Sequence, residues 1–535
     1  MPNMGGKNMG TTCMQTIQRR WDAACKVLFK RELGDIGEYA KWLTHNNEPI
    51  IHRKSSVTGK DVAYAISAYG EGSKWIGFDE IDFGKSYPPL NLNEIKDIDS
   101  IAQAVRERIY YAGSVILGNS GEVEKSSNIS DSFFMHETGK FGDCKYLAFS
   151  TLGRLCDSCF GCNGIGESQF CIKSYETFKE KRCFEFWMGQ NSSDCYYSHN
   201  LSSCSDCMFC FSLKNRRNSI GNLELEPEKY RRIKDSLVFQ LASELEQKKE
   251  APSLIDIVGG VPLAKPLLPN MPKETKKEGN MMPIEGEFAK TCEILFGKRL
   301  PGRIDDYSEW LSRRVRKSEQ HLSAASGKTV RRWDYCNYFL LPKNRLLTQA
   351  EALAFGESAR ISDKEAEGLT MEAVGRAIGK LAFFSTEYEE GTNTNIIECP
   401  TPTQSANSYR SSPVVYSKHC AYSFWPRSCE HVYGCNAMFD SEFCIHCYHS
   451  VKLKRCFEMD TCRDCTDSMF CHNCENVHES MFCFNVKNLR YAIGNAELGR
   501  EKYLQVKGLV HRKILKQLGQ RRNLEKDIYN VGMQK

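Results

Sequence analysis

The stretch Cys462–Cys483, CRDCTDSMFCHNCENVHESMFC, contains the pattern that decides the fold, because its cysteines all fall on residue numbers divisible by three. Ten cysteines keep this phase over Cys144–Cys210, and eleven keep it over Cys420–Cys483. The other residues in the phase are small or apolar, with Glu180 as the charged exception. Charged and amide side chains occupy the other two positions of each triplet.

A period of three excludes the common secondary structures. An α-helix repeats every 3.6 residues and a strand every 2.0. A 3₁₀-helix does not persist this long, and polyproline II needs more proline than these stretches contain. A narrow β-solenoid with very short sides remains, in which each side sends one side chain inward and two toward a corner or solvent. Its thin core favours cysteine, which is small and readily buried.

The pattern occurs twice, at an offset of 273 residues. GQNSSDCYYSHNLSSCSDCMFC (189–210) aligns with the opening stretch, and KRCFE occurs at Lys181 and again at Lys454. Farther upstream the offset is 267, where CKVLF at Cys25 matches CEILF at Cys292. We therefore predict an α+β protein made by tandem duplication, each half having a helical head, a narrow Cys-lined β-solenoid and a closing α-helix.

The predicted boundaries follow from this repeat. They are an N-terminal tail (1–13), a helical or mixed head (14–130), a Cys-rich β-solenoid (131–222), a closing helix (223–246), a linker rich in Pro, Lys and Gly (247–285), a second head (286–395), a second solenoid (396–495) and a closing helix with a tail (496–535).

Most cysteines are predicted to fill the core. Between the copies, Cys471 aligns with Ser198 and Cys474 with Leu201, and such exchanges are tolerated in a core slot but not in a set of metal ligands. Ten cysteines are present in both copies and are the predicted structural core: Cys156, Cys162, Cys171, Cys183, Cys210, Cys429, Cys435, Cys444, Cys456 and Cys483. Histidines fall outside the inward phase, so most are expected in solvent or in turns.

Zinc is the alternative, because paired CxxC motifs in a reducing compartment are typical of tetrahedral thiolate sites. The candidate ligands under this alternative are Cys462, Cys465, Cys471, Cys474, Cys204, Cys207 and Cys210. No cofactor is expected if the thiols form the core.

Basic residues follow the last cysteine of each run and could contact nucleic acid: Lys214, Arg216, Arg217, Lys487 and Arg490. Nearby aromatic rings would suit stacking on bases. The competing interpretation, which we favour, is a solvated exit from the solenoid into a helix.

The length, composition and net charge are typical of a globular protein, but the number of cysteines is unusually high. The chain has 535 residues, a formal net charge of +5 and 26 cysteines. No run of 18 apolar residues and no signal-peptide pattern occurs, so we expect no membrane contact and a location in the cytoplasm or within a virion or another intracellular assembly. GxSxG, HExxH and GxxxxGKS are missing, so no catalytic residue is predicted.

The segment CFNVKNLRYAIGN (483–495) resembles the end of the Cys-triplet runs in a loose group of uncharacterised proteins from candidate-phyla bacteria, small-genome archaea and their viruses. That resemblance covers about a third of the chain and implies no activity. We therefore expect a non-enzymatic structural or scaffolding component of a larger assembly, with a virion or a ribonucleoprotein as candidates. Its expected partners are other proteins, with nucleic acid and oligomerisation left open. The alternative is a zinc-dependent nucleic-acid-binding protein.

Overall fold

A computed structural model describes residues 12–70, 72–263, 265–268 and 279–533, with Cys336 and Asn337 described by their backbone alone. Most of the predicted N-terminal tail and residues 269–278 of the predicted linker lie outside this range. The chain is mixed α/β, with many strands arranged in nearly closed parallel sheets.

The helices lie before, between and after the strand-rich regions. The α-helices are α1 (Cys13–Phe29), α2 (Ala40–Thr44), α3 (Ile98–Ala104), α4 (Pro227–Lys248), α5 (Leu254–Gly259), α6 (Met282–Phe296), α7 (Ser308–Leu311), α8 (Cys336–Leu340), α9 (Gln349–Ser358), α10 (Asp363–Glu367), α11 (Val374–Ile378) and α12 (Arg500–Arg521). Short 3₁₀ turns span Ile36–Tyr39, Phe78–Glu80, Leu92–Glu94, Arg106–Arg108, Ile304–Tyr307 and Lys343–Arg345.

Short strands precede each strand-rich region: β1 (Ile51–Lys54), β2 (Asp61–Tyr64), β3 (Trp75–Gly77) and β4 (Tyr111–Gly113). The first strand-rich region holds β5 (Ile116–Leu117), β6 (Gly121–Glu124), β7 (Ser127–Ser130), β8 (Phe133–His136), β9 (Gly139–Gly142), β10 (Lys145–Ala148), β11 (Thr151–Arg154), β12 (Asn163–Gly166), β13 (Tyr175–Phe178), β14 (Phe184–Gln190), β15 (Ser193–His199), β16 (Ser205–Met208), β17 (Arg217–Ile220) and β18 (Leu223–Glu224).

A further hairpin, β19 (Ser318–Leu322) and β20 (Thr329–Trp333), precedes the second region. That region holds β21 (Thr394–Ile397), β22 (Pro402–Thr403), β23 (Ala406–Tyr409), β24 (Val414–Val415), β25 (Lys418–Ala421), β26 (Phe424–Arg427), β27 (Glu430–Tyr433), β28 (Asn436–Phe439), β29 (Glu442–Val451), β30 (Lys454–Asp460), β31 (Met469–Glu475), β32 (Phe484–Lys487), β33 (Ala492–Ile493) and β34 (Ala496–Glu497).

Parallel pairing in both regions advances by 12 residues. Asn163 pairs with Tyr175, and Tyr175 pairs with Trp187; in the second region Cys444 pairs with Cys456. We call each such 12-residue turn of the chain a rung. The first rung stack spans residues 116–220 and the second spans residues 394–493.

Each rung consists of four sides of three residues, because every third residue has backbone angles in the left-handed region, and the chain turns a corner there. Tyr197, Asn200, Ser203 and Asp206 have φ angles of 46°, 56°, 55° and 52°. This conformation suits Asn and Asp and costs other L-residues about 1–2 kcal/mol each. The rung-to-rung hydrogen bonds and the buried interior must therefore offset a strain that is repeated at every corner.

The predicted inward phase is buried along both stacks. Cys159, Cys171, Cys183, Cys195 and Cys207 occupy one inner column on successive rungs, and each is at most 2% exposed. The ten cysteines predicted as structural core are likewise buried. Cysteine, leucine, valine and serine share these slots, which explains why the aligned positions exchange them.

Serine and cysteine also satisfy backbone groups inside the stack. Ser198 Oγ donates to the carbonyl of Tyr196 at 2.9 Å and accepts the Cys210 backbone N–H at 3.0 Å, one rung later. Cys435 Sγ likewise accepts the Cys447 backbone N–H at 3.2 Å. An inward slot therefore favours a small side chain that can both donate and accept, because the neighbouring rung presents an otherwise unpaired buried N–H.

The segment before each stack packs on the other stack. The first crossover segment (residues 62–70 and 72–112) shares a hydrophobic cluster with the second stack, α6 and α12. The second crossover segment (residues 333–385) shares one with the first stack, α1 and α4. The period of three does not predict that each crossover segment packs on the other stack, because the period describes only residues that are close in sequence. The two stacks are consequently tied together by both crossover segments.

Candidate functional site at the junction of the two stacks

Each crossover segment donates a backbone hydrogen bond to a buried histidine of a rung stack. The Ala112 backbone N–H donates to Nε2 of His472 at 2.8 Å, and the Ser385 backbone N–H donates to Nε2 of His199 at 3.0 Å. Both histidines are fully buried. Burial lowers the pKa of His199 to about 3, so this ring is neutral at physiological pH. Each histidine thus serves as an acceptor that fixes the position of the opposite crossover segment.

Asp460 lies behind His472 and accepts hydrogen bonds from several donors. His472 Nδ1 lies 2.8 Å from Oδ2, and the hydroxyls of Tyr69 and Tyr529 each donate at 3.0 Å. His449 Nδ1 lies 3.4 Å from Oδ1. Burial alone would raise the pKa of Asp460, but the hydrogen bonds from the two histidines hold it well below its usual range. The result is a buried carboxylate surrounded by two histidines and two tyrosine hydroxyls.

The two stacks carry different buried pairs at aligned positions. Lys173 Nζ lies 3.8 Å from Glu185 Oε1 in the first stack, and it also donates to the carbonyl of Trp42 at 2.9 Å. In the second stack His446 Nδ1 lies 2.8 Å from Glu458 Oε1. Burial raises the pKa of both glutamates and lowers the pKa of Lys173, and it brings the pKa of His446 to about 3.

Ion pairs join the facing sides of the stacks. Arg154 Nη1 lies 3.0 Å from Asp440 Oδ2, and Arg427 Nη2 lies 2.5 Å from Glu167 Oε1. Arg463 pairs with Asp131. Since every pair has one partner in each stack, this set of contacts opposes sliding of one stack along the other.

A lysine–glutamate pair at the junction is largely, though not completely, buried. Lys140 Nζ lies 2.7 Å from Glu48 Oε2, and Arg316 also contacts Glu48. Burial alone would raise the pKa of Glu48, but the charges of Lys140 and Arg316 lower it to about 2. The carboxylate therefore remains ionised, and its removal would leave two cations in a poorly solvated place.

Two of the cavities lie along the rung stacks. One lies between the stacks, has a volume of about 100 Å³ and is lined by residues that include Asn128, Phe141, Phe439 and Val451. It is smaller than the roughly 300–1,000 Å³ of ordinary ligand pockets. The other, of about 950 Å³, is an open groove with mostly amide and carboxylate side chains.

The predicted zinc ligands line the interiors of the stacks. Cys462 and Cys474 are one rung apart in one column, whereas Cys465 and Cys471 occupy two other columns; Cys204, Cys207 and Cys210 fall on three consecutive sides. Within the described ranges, no group of three or more His, Cys, Asp or Glu side chains is arranged to hold a metal ion. The thiols instead lie near backbone carbonyls, such as Cys465 Sγ at 3.2 Å from the Arg463 carbonyl.

The predicted basic contacts lie at the ends of the stacks and several have acidic partners. Lys487 Nζ lies 2.7 Å from Glu475, Arg490 lies 3.3 Å from Glu479, and Arg216 pairs with Glu357. Lys214 and Arg217 are exposed, with no carboxylate within 4.0 Å in the part of the chain that the structure describes. These residues do not form one continuous surface of free positive charge.

The expectation that most histidines lie in solvent or turns is wrong for those at the junction. His199, His446 and His472 are fully buried, because helices and crossover segments cover the outer sides of the rungs. The sequence does contain a signal for two of them, since His199-Asn200 recurs as His472-Asn473 at the common offset. It contains none for Asp460, which aligns with Trp187.

Comparison with known proteins gives no match to a family model, a curated protein or a solved structure. Among the described residues, none of the helices has the length and apolar character needed to cross a bilayer.

Proposed function

We propose that this protein is a non-enzymatic structural component of a larger assembly, built by tandem duplication from two halves, each with a helical head, a Cys-lined β-solenoid and a closing helix. The observation that carries the proposal is the reciprocal junction, in which His472 accepts a hydrogen bond from the Ala112 N–H and His199 accepts one from the Ser385 N–H. A 273-residue offset relates both partners of these contacts, as expected of duplicated halves that exchange their crossover segments.

The junction supports rigidity rather than chemistry. Both ring nitrogens of His472 are engaged, one by Asp460 and the other by Ala112. A general base needs a ring nitrogen or carboxylate oxygen within reach of a substrate proton. Burial raises the pKa of Cys399 to about 12 and that of Cys429 further, which lowers the nucleophilic character of these two thiols.

The pairing of the two stacks also suits a spacer. Two stacks linked side by side by partly buried ion pairs resist bending more than one narrow stack does. Partner proteins, nucleic acid or further copies of the chain would then attach to the outer helices.

Size fractionation of a native extract tests this proposal. We expect the protein to migrate in a particle well above its own mass of 61.0 kDa, and to leave that particle when Arg154→Glu and Arg463→Glu disturb the junction. Migration of the native protein as a free 61.0-kDa chain would contradict an assembly role. Metal analysis of the purified protein separates the zinc-dependent alternative, which requires stoichiometric zinc.

A further inference from the structure

The two long helices that follow the rung stacks differ sharply in charge. Helix α12 has one acidic residue, Glu501, and seven basic residues, which give it a net charge of +6; the basic residues are Arg500, Lys502, Lys507, Arg512, Lys513, Lys516 and Arg521. Helix α4, at the corresponding place after the first stack, has five basic and four acidic residues, a net charge of +1. The excess charge of α12 alone exceeds the formal +5 of the whole chain.

Most of the cations of α4 have acidic partners. Lys229 Nζ lies 2.6 Å from Asp363, Lys234 Nζ lies 3.2 Å from Asp206, and Arg232 lies 3.4 Å from Glu367. The α4 surface is therefore largely neutralised within the protein.

The cations of α12 are mostly left without such partners. Lys513 lies 3.3 Å from Asp97, and Arg521 pairs with Glu525. The others have no carboxylate within 4.0 Å among the residues that the structure describes: Arg500, Lys502, Lys507, Arg512 and Lys516. Lys502, Arg512 and Lys516 are exposed, and the opposite side of the helix, including Val506, Val510 and Ile514, is buried.

These charges do not stabilise the helix that carries them. Arg512 and Lys516 are like charges at i and i+4, which costs a few tenths of a kcal/mol. Arg500 and Lys502 lie at the N-terminal end, where the helix dipole disfavours cations. Folding stability therefore does not explain the basic surface, whereas an anionic partner would.

The shape of the surface indicates which anion. Lys502 and Lys516 are separated by about 21 Å along the helix axis, at about 1.5 Å per residue. Single-strand binding relies on aromatic side chains that stack on bases, and Tyr503, the aromatic residue of α12, is buried. A duplex needs no such stacking and presents about one negative charge per 1.7 Å of its axis.

We propose that the exposed face of α12, defined by Lys502, Arg512 and Lys516, binds the phosphate backbone of duplex DNA without reading its sequence. The face is held in place because the opposite side of the helix packs in the hydrophobic cluster that includes the second stack. Binding here does not depend on the scaffolding role, since a free chain would bind equally well.

Fluorescence anisotropy with a labelled DNA duplex of about 20 base pairs tests the proposal, measured between about 50 and 200 mM salt. The variant Lys502→Gln/Arg512→Gln/Lys516→Gln should weaken binding at least about tenfold at the lower salt concentration. The slope of log K against log salt should become shallower by about 2.7, because each lost phosphate contact removes about 0.9.

A matched variant controls for total charge. Arg231→Gln/Arg232→Gln/Lys234→Gln removes three cations from α4 and should leave both the affinity and the slope unchanged. Circular dichroism and thermal melting establish that both variants are folded. Equal loss of binding in the two variants, absence of salt-sensitive binding by the unmodified protein, or equally α12-dependent binding to phosphatidylserine vesicles would each overturn the proposal.

Discussion

The two rung stacks follow the same 12-residue turn but differ in what they bury. The first encloses Glu180, fully buried in an inward slot, with Oε2 3.6 Å from Cys183 Sγ. The aligned slot of the second holds Leu453, which is also buried. Backbone geometry thus fixes where an inward side chain points, whereas its chemistry can change if the neighbouring groups accommodate it.

Introducing a carboxyl group into the second stack gives the largest predicted effect. Leu453→Glu should lower the free energy of unfolding by about 4 kcal/mol, because it buries a polar group in a slot packed for an aliphatic side chain. Urea unfolding followed by tryptophan fluorescence measures the change. Leu453→Met, of similar volume, should cost less than about 1.5 kcal/mol. If Leu453→Glu lowers the free energy of unfolding no more than Leu453→Met does, the inward slot of the second stack does not require an apolar side chain.

The two junction histidines allow a second comparison. His472→Phe removes a donor to Asp460 and the acceptor of the Ala112 N–H, and should cost about 3 kcal/mol. His199→Phe removes the acceptor of the Ser385 N–H but no donor to a carboxylate, so about 1–2 kcal/mol is expected.

Chemical unfolding gives both losses, and hydrogen exchange at Ala112 and Ser385 locates them. Faster exchange should be confined to Ala112 in the first variant and to Ser385 in the second. Exchange that rises equally at both amides in either variant would show that the junction opens as one unit and that the two histidines are not separable.

Glu180 gives a prediction about pH. Burial raises its pKa well above the ordinary value. Between the unfolded pKa of about 4.3 and the folded pKa, the native state holds one proton more than the unfolded state, so stability falls as pH rises. Glu180→Leu should stabilise the protein at about pH 8 and flatten this decline by up to about 1.4 kcal/mol per pH unit.

Unfolding free energies from about pH 5 to about pH 8 measure the slope. Glu176, Glu185 and Glu458 retain their own contributions, since burial raises their pKa as well. An unchanged slope in Glu180→Leu would mean that Glu180 is ionised in the folded protein.

The period of three predicted the inward positions because it reflects a local property, the orientation of one side chain per three-residue side. It also identified Glu180 as the exception. The left-handed corners are harder to predict from the sequence, because Tyr197 and Ser203 adopt the same left-handed backbone conformation as Asn200. The stacking of the rungs imposes this conformation, whereas the residue type at the corner does not determine it.

The candidate site was less visible than the interior. It depends on contacts between residues more than 180 positions apart, such as His199 with Ser385 and Tyr69 with Asp460. Periodicity cannot specify such pairs. The recurrence of His-Asn in both runs marks the two histidines in the sequence. Their roles as hydrogen-bond acceptors depend on the positions of the crossover segments, which the sequence does not specify.

Reciprocal exchange of a thiol and a hydroxyl should have the smallest effect. Cys195 aligns with Ser468, and both side chains donate to the carbonyl two residues earlier, at 3.3 and 2.8 Å. Cys195→Ser and Ser468→Cys should each change the free energy of unfolding by about 1 kcal/mol or less, because either side chain fits and pairs in the slot. Denaturant unfolding with and without a chelator measures this. A loss above about 3 kcal/mol for Cys195→Ser that chelator reproduces in the unmodified protein would show that the thiol holds a metal, since a hydroxyl could otherwise replace it.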